Sequence, residues 1–200
     1  MPSHYFDENP ESVFKTKEVA VTIDGREVTV LTAGGIFSPD HIDTGTKVLL
    51  EHLAMAPKGG DILDIGCGWG PIALSLASAN PRATVWAIDV NERALELTRT
   101  NAERLALANI KAVRPEEVPL EISFSGIWSN PPIRVGKEVL HEILSTWLPR
   151  LEVGADAFLV VQKNLGADSL QRWIKDQMPE LAVDRLDTAK SFRVLRTTKN

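Results

Sequence analysis

"DILDIGCGWGPIAL", Asp61 to Leu74, joins a short apolar run to three closely spaced glycines and a proline. Ile62, Leu63 and Ile65 make a short apolar run, the pattern of a strand buried on both faces. Glycines at 66, 68 and 70 end the run, and Pro71 follows them. Proline at that place suits the first turn of a helix, where its missing N–H would have had no intrahelical partner. "PIALSLASA" continues as that helix. A buried strand that passes through a glycine turn straight into a helix is the first half of a βαβ unit.

Working outward, the alternation persists. "TVWAID" is the next strand, and "NERALELTRTNAERLAL" is a long helix with Leu95, Thr98, Ala102 and Leu105 on its apolar face and Asn109 placed to cap its end. "IKAV" and "FSGIWS" are strands, "KEVLHEILSTWLPRL" a helix, "AFLVVQ" a strand and "ADSLQRWIKDQM" a helix. "LAVDRLDT" and "SFRVLRTT" close the chain with no helix between them, so they should pair as an antiparallel edge. Upstream, "TKVLLEHLAMA" carries Val48, Leu49, His52, Leu53 and Ala56 at helical spacing as far as Pro57. Before it, "EVAVTI" and "REVTVLT" alternate around Asp24-Gly25, the favoured type I′ hairpin dipeptide. The fold class is therefore α/β: a Rossmann-like, mostly parallel seven-stranded sheet with helices on both faces and a short N-terminal β-hairpin. The expected division is a hairpin extension over 1–35 and a main domain over 36–200.

Composition bounds the function. The chain has 200 residues, 44% hydrophobic and 24% charged, as in ordinary soluble globular proteins. No apolar run approaches the ~20 residues of a membrane span. The start, "MPSHYFDENP", lacks the basic-then-apolar order of a secretory signal, so the cytoplasm is the expected compartment. One cysteine excludes an internal disulfide and a Cys-based zinc site, and His4, His41, His52 and His141 show no ligand spacing, so no metal is expected. A net charge of −5 weighs against a sequence-independent polyanion binder. From Ala182 to Asn200, however, five cations (Arg185, Lys190, Arg193, Arg196, Lys199) face two acids (Asp184, Asp187). That tail is either a nucleic-acid contact or a solvated strand face.

The glycine loop points to a ligand. Gly66, Gly68 and Gly70 let the backbone pass close to one at the carboxyl edge of the sheet. A dinucleotide fingerprint would need a glycine at 71, which is Pro71, and this makes a nicotinamide-dependent oxidoreductase a distant alternative. Asp64 before the loop suits a cationic ligand better than a pyrophosphate. Asp89, 23 residues after Gly66 at the end of the second strand, stands where a carboxylate reaches ribose hydroxyls. Cys67 and Val90 flank these positions and complete the expected pocket. Two acids and three glycines fit a nucleoside with a positive charge and no phosphate, and S-adenosylmethionine is such a molecule.

With "SNPPIRVGK", Ser129 to Lys137, these motifs resemble a class I S-adenosylmethionine-dependent methyltransferase. "HYF", "GIFSPDHIDTGTKVLLEHL", "NPPIRVGK" and "VVQKNLGADSL" are similar to the small-subunit ribosomal RNA guanine-N2 methyltransferases, in their catalytic half or in short stand-alone members. The resemblance implies that Asn130, Pro131, Pro132 and Ile133 grip a planar amine, with ribosomal RNA or the small ribosomal subunit as partner. The chemistry is consistent with that. Proline fixes backbone dihedrals, and its carbonyl competes with no N–H of its own. Asn130 Oδ1 and the Pro131 carbonyl would accept the two amine hydrogens and hold its nitrogen toward the methyl group. Such related enzymes often carry an aromatic after Pro-Pro, and here Ile133 replaces it. Asn-Pro-Pro suits any planar nitrogen, so a protein glutamine amide or an adenine amine is an alternative acceptor. A non-catalytic S-adenosylmethionine-binding module is a further one, against which the intact Asn-Pro-Pro argues.

The resemblance also places an acid after the third strand near the adenine. Pro115 stands at about that point in "VRPEEV", which leaves Glu116 as the candidate. Phe37, Ser38 and Asp43 to Thr46 should lie across the cofactor mouth; Asp43 either contacts the methionine moiety or caps the helix, with the ligand role favoured for Asp43 and the capping role for Thr44. Trp69 is expected to shield the pocket. Arg134 and Lys137 either meet substrate phosphates or are solvated residues at a helix start. Monomer and dimer are both left open.

Overall fold

The computed structural model describes residues 15–132 and 136–200. The "HYF" segment, His4, Ile133 and Arg134 lie outside the described residues. An antiparallel hairpin comes first, β1 (Thr16–Ile23) and β2 (Arg26–Ala33). Its turn residues Asp24 and Gly25 have φ of 47° and 74°, both positive as a type I′ turn requires.

The main sheet has seven strands: β3 (Gly60–Ile65), β4 (Ala83–Ile88), β5 (Ile110–Val113), β6 (Phe124–Ser129), β7 (Leu151–Gln162), β8 (Leu181–Ala189) and β9 (Phe192–Lys199). Their spatial order is β5-β4-β3-β6-β7-β9-β8. The first five pair in parallel, while β9 runs against both β7 and β8. The antiparallel pair stands at the edge of the sheet, with β8 outermost.

Among the described residues five helices cover the sheet: α1 (Thr44–Leu50), α2 (Pro71–Ala79), α3 (Glu92–Arg104), α4 (Lys137–Trp147) and α5 (Ala167–Gln177). Alternation along the strands divides the core. Leu63, Trp86 and Ile127 pack with Leu140, Leu144, Leu170 and Ile174 of α4 and α5. Ile62, Val85 and Trp128 pack with Val48, Ile72, Leu76 and Leu95 of α1, α2 and α3. The hairpin lies over α2 and α3, where Val21, Ile23 and Val30 join Trp69, Leu74 and Leu97 in a third cluster. No helix of the described residues is long and apolar enough to cross a membrane.

Three expectations about local structure give way. The first helix ends at Leu50, and Leu53–Met55 forms a 3₁₀ turn. There the backbone tightens to three-residue bonds, from His52 N to Leu49 O and from Met55 N to His52 O, so that Pro57 can pack against Gly126 of β6. Asn109 does not cap α3. Its side-chain N–H groups instead reach the carbonyls of Ala77, Asn80 and Ala83, which ties the end of α2 to the start of β4. Strand β7 begins at Leu151, six residues before its apolar run.

Candidate active site

Strands β3 and β6 are sequence-distant neighbours between which the order reverses: β4 and β5 lie to one side of β3, and β6 and β7 to the other. A parallel sheet opens a crevice at such a point, beyond the carboxyl ends of its strands. Here the two ends are in register, Ile65 beside Ser129, and Ser129 Oγ donates to Ile65 O at 2.8 Å. The glycine loop leaves one lip of the crevice and Asn130-Pro131-Pro132 the other.

Bonds from several elements hold the glycine loop. Gly66 N and Cys67 N donate to Ile88 O at 2.9 and 3.0 Å. Gly68 N donates to Asp89 Oδ2 at 3.0 Å, and Thr98 Oγ1 donates to Gly68 O at 3.0 Å. Gly70 has φ of +99°, and a Cβ there would lie 3.1 Å from Thr98 Oγ1, so both conformation and space demand glycine. Gly66, with φ of +75°, has nothing within 4 Å of a Cβ position, and its open face can receive a ligand.

The two acids sit at the ends of β3 and β4. Asp64 is fully buried; its Oδ2 accepts from Ala73 N at 3.0 Å, and Oδ1 has no partner among the described residues. Burial, and to a lesser degree the nearby Asp89 carboxylate, pushes its pKa up to about 8 despite the Ala73 N–H. Asp89 accepts from Gly68 N and from Asn91 N, the latter at 2.9 Å. Burial raises its pKa, opposed by these backbone N–H groups. An ionised carboxylate has about four acceptor sites, so Asp89 can hold the loop and still receive hydroxyls. Burial and both carboxylates push the Cys67 thiol pKa up, so Cys67 is an inert small residue of the loop.

Beside the loop, Val90 and Phe37 are large apolar side chains left 42% and 48% exposed. Trp69 is a core residue beneath the hairpin, and its Nε1 donates to Ser38 O at 3.1 Å, which pins the segment that carries Phe37. Glu116 lies in a 3₁₀ turn, Pro115–Glu117, and pairs with Arg114 Nε at 2.7 Å. That bond lowers its pKa, and a second Arg114 nitrogen donates to Val90 O.

On the opposite lip, α1 is capped by Asp43 and not by Thr44, which is its first helical residue. Asp43 Oδ2 accepts from Gly45 N at 2.8 Å and Thr46 N at 3.4 Å. Asn130 Nδ2 donates to Asp43 Oδ2 and to Thr46 Oγ1, each at 3.0 Å. Both amide hydrogens of Asn130 are thereby committed to α1, and Oδ1 is left as the acceptor side.

Lys137 begins α4 and is exposed. Exposed Lys163, just after β7, which the sequence did not single out, stands on the same side, as does Lys190 of the basic tail, exposed in the β8–β9 turn; a bond from Lys163 N to Ser191 O at 2.8 Å joins the two segments. The other tail cations are tied locally, Arg185 and Arg193 to Asp168, Arg196 to Asp184, and Lys199 to the carbonyls of Pro149 and Leu151. The roles of Thr98 and Asn101 were not foreseen from the sequence. Asn101, buried in α3, exchanges hydrogen bonds with Leu31 N and O of the hairpin and donates to Trp69 O. No group of three or more metal-ligating side chains occurs among the described residues.

Similarity to known proteins agrees with this geometry. The chain is 33% identical over 202 residues, covering the whole of both, to a Bacillus subtilis protein called "Uncharacterized protein YbxB". It is 35% identical over 127 residues to "Ribosomal RNA small subunit methyltransferase C" of Acinetobacter baumannii, a match over 60% of this chain and 36% of that one. The chain thus spans well under half the length of that ribosomal RNA relative. Among solved structures, the Thermus thermophilus 16S rRNA N2 G1207 methyltransferase, in complex with AdoMet and guanosine, superimposes with a TM-score of 0.81 over 96% of this chain and 52% of that one, at 24% identity. The methyltransferase small domain model matches residues 27–196. S-adenosylmethionine, the methyl donor of such enzymes, fits the open Gly66 face and the two strand-end carboxylates. The chain belongs to the methyltransferase small domain family.

Proposed function

We propose that this protein transfers a methyl group from S-adenosylmethionine to an exocyclic amine, guanine N2 of small-subunit ribosomal RNA. The observation that carries the reading is the orientation of Asn130. A carboxylate only accepts hydrogen bonds, so the amide face turned to Asp43 must be its NH₂. Oδ1 is then left free of α1 to accept, and the Pro131 carbonyl, one residue on, would be the second acceptor. Two acceptors from one rigid loop match the two hydrogens of a planar amine.

The bound cofactor supplies an electrophilic methyl on a sulfonium. Asn130 Oδ1 and Pro131 O would hold the amine by its hydrogens, so that the nitrogen lone pair would face the methyl carbon as the N–C bond forms and the C–S bond breaks. With the C–S electron pair left on the departing thioether, the nitrogen, now positive, would lose a proton to solvent without needing a strong base. Positioning of this kind can lower a barrier by roughly 7–11 kcal/mol in the best cases. Asp89 would receive the ribose hydroxyls, Asp64 Oδ1 would face the cationic end, and Phe37 and Val90 would wall the adenine or the base. Lys137, Lys163 and Lys190 would meet phosphates flanking the target, while Glu116, paired with Arg114, would border the adenine through Val90. Relatives named for ribosomal RNA methylation support the choice of acceptor.

The test incubates the protein with methyl-labelled cofactor and, separately, free small-subunit RNA, assembled subunits and a protein extract, followed by nucleoside analysis. Label in N2-methylguanosine, lost by at least about a hundredfold in Asn130→Ala with cofactor affinity kept, is the expected result. Label in N6-methyladenosine or in protein glutamine would overturn the guanine reading. Cofactor binding without transfer to any arm would make the protein a binding module.

A further inference from the structure

We infer that Asp43 and Thr46 are positioning residues for methyl transfer: they fix which end of the Asn130 amide faces the substrate. The inference rests on the role proposed for Asn130 and assigns the control of that role to the start of helix α1. An amide side chain is nearly symmetric in shape, and a half-turn exchanges its oxygen for its NH₂. Presented the wrong way, Asn130 would place N–H groups against the N–H groups of the target amine. Nothing in Asn130 itself prevents this, so the surroundings must.

They do so with two acceptors from one helix turn. Asp43 Oδ2 and Thr46 Oγ1 each lie 3.0 Å from Asn130 Nδ2, which satisfies both amide hydrogens. Asp43 Oδ2 cannot itself turn away, because the same oxygen caps the helix by accepting from Gly45 N at 2.8 Å and Thr46 N at 3.4 Å. Thr46 is buried, so its hydroxyl is held by packing as well as by bonding. Gly45 lets the turn come close: a Cβ there would lie 3.0 Å from Asp43 Oδ2 and 2.7 Å from the Phe192 ring. The cap and the orientation of Asn130 are thus one arrangement. The expectation that Asp43 serves as a ligand of the methionine moiety differs from this, because it would place the effect of Asp43 in cofactor affinity.

Two removals and two conservative replacements separate the possibilities. Asp43→Ser keeps a capping oxygen but is too short to reach Asn130, and Thr46→Val keeps the shape and loses the acceptor. Asp43→Asn must still turn an oxygen to Gly45 N, and that same oxygen faces Asn130; Thr46→Ser retains the hydroxyl. Single-turnover methylation at saturating RNA and cofactor is measured for each variant, alone and combined with Asn130→Ala, beside S-adenosylhomocysteine binding by calorimetry. Expected are a rate loss of about tenfold or more for Asp43→Ser and about fivefold for Thr46→Val, as a charged and a neutral acceptor should differ. The conservative variants should recover most of the rate, and inhibitor affinity should stay within about twofold of wild type. Neither removal should slow Asn130→Ala further, because an absent amide has no orientation to lose. Equal losses with and without Asn130, or losses that appear in cofactor affinity and not in rate, would overturn the inference. If Asn130→Ala keeps the wild-type rate, the role of Asn130 itself is wrong. If Asn130→Ala is slow while Asp43→Ser and Thr46→Val are as fast as wild type, only the positioning role falls.

Discussion

Asp64 should make the ligand-free protein less stable as pH rises. Its burial, opposed only by the Ala73 N–H, lifts its pKa from the ordinary 3.8 to about 8. Between those values the folded protein retains a proton that the unfolded chain has released. The unfolded state binds fewer protons, so stability falls with pH, the reverse of the usual behaviour of a salt-bridged carboxylate. The favourable condition is fully present below about pH 4, declines by at most ~1.4 kcal/mol per pH unit, and is exhausted above about pH 8. From pH 5 to pH 7 the loss is roughly 3 kcal/mol, a sizeable part of the ~5–15 kcal/mol of a typical domain. Asp64→Asn has no proton to exchange and removes the slope, whatever constant cost of ~1–3 kcal/mol its own unpaired amide adds. The raised pKa of Asp89 gives a slope of the same sign in both proteins, which cancels in their difference. Urea unfolding followed by tryptophan fluorescence at about pH 5, 6 and 7 reads the effect, with wild type falling against Asp64→Asn by roughly 3 kcal/mol. Parallel stabilities across that window would mean that Asp64 is ionised in the fold, and the reasoning would be refuted.

Gly45→Ala should cost about 1–3 kcal/mol in thermal or urea unfolding, because its Cβ would come within 2.7 Å of the Phe192 ring; Gly34→Ala, with nothing within 4 Å, should change stability by less than about 0.5 kcal/mol. Asp89→Ala should weaken S-adenosylhomocysteine binding by roughly 10- to 100-fold in calorimetry, since it removes the proposed ribose acceptor and leaves Gly68 N and Asn91 N unpaired; unchanged affinity would contradict the assignment. Lys163→Glu with Lys190→Glu should weaken RNA binding several-fold and flatten its salt dependence by about 1.4 in log–log slope, with cofactor affinity unchanged. An unaltered slope would place the RNA elsewhere.

The order of strands and helices was legible because buried strands read as continuous apolar runs and helices as periodic ones. The glycine loop, Asp89 and Asn130 were legible because each ends a strand, and strand ends converge in a parallel sheet. What supports them was not. Thr98 reads as one more position of an apolar helix face, yet its hydroxyl bonds Gly68 O; Asn101 bonds Leu31, 70 positions away. Such partners are set by tertiary approach, which leaves no local spacing to read. Asp43 and Thr44 are both good caps, and only the first helical residue, a matter of one position, decides between them. Asn109 looked like a helix terminator because Asn favours that place, but Ala106, with φ of 55°, already takes the left-handed turn after α3.

The carboxyl edge of the sheet is divided by charge in a way that matches a cationic cofactor and an anionic substrate. Over β3 and β4 stand Asp64 and Asp89, carboxylates whose raised pKa values show that the fold alone does not pay for their charge. A bound cation would favour their ionised forms, so the cofactor would relieve an electrostatic deficit already present in the ligand-free protein. Over β7 and the β8–β9 turn stand Lys163 and Lys190, with no acidic partner among the described residues, while most neighbouring tail cations are paired with acids or carbonyls. A polyanion approaching that side meets its counter-charges there. The junction of the two halves is the β3–β6 crevice, where the NH₂ of Asn130 is held by Asp43 and Thr46. A substrate steered by its phosphates from one side and a sulfonium seated from the other would meet at that residue, which explains why its orientation is secured twice.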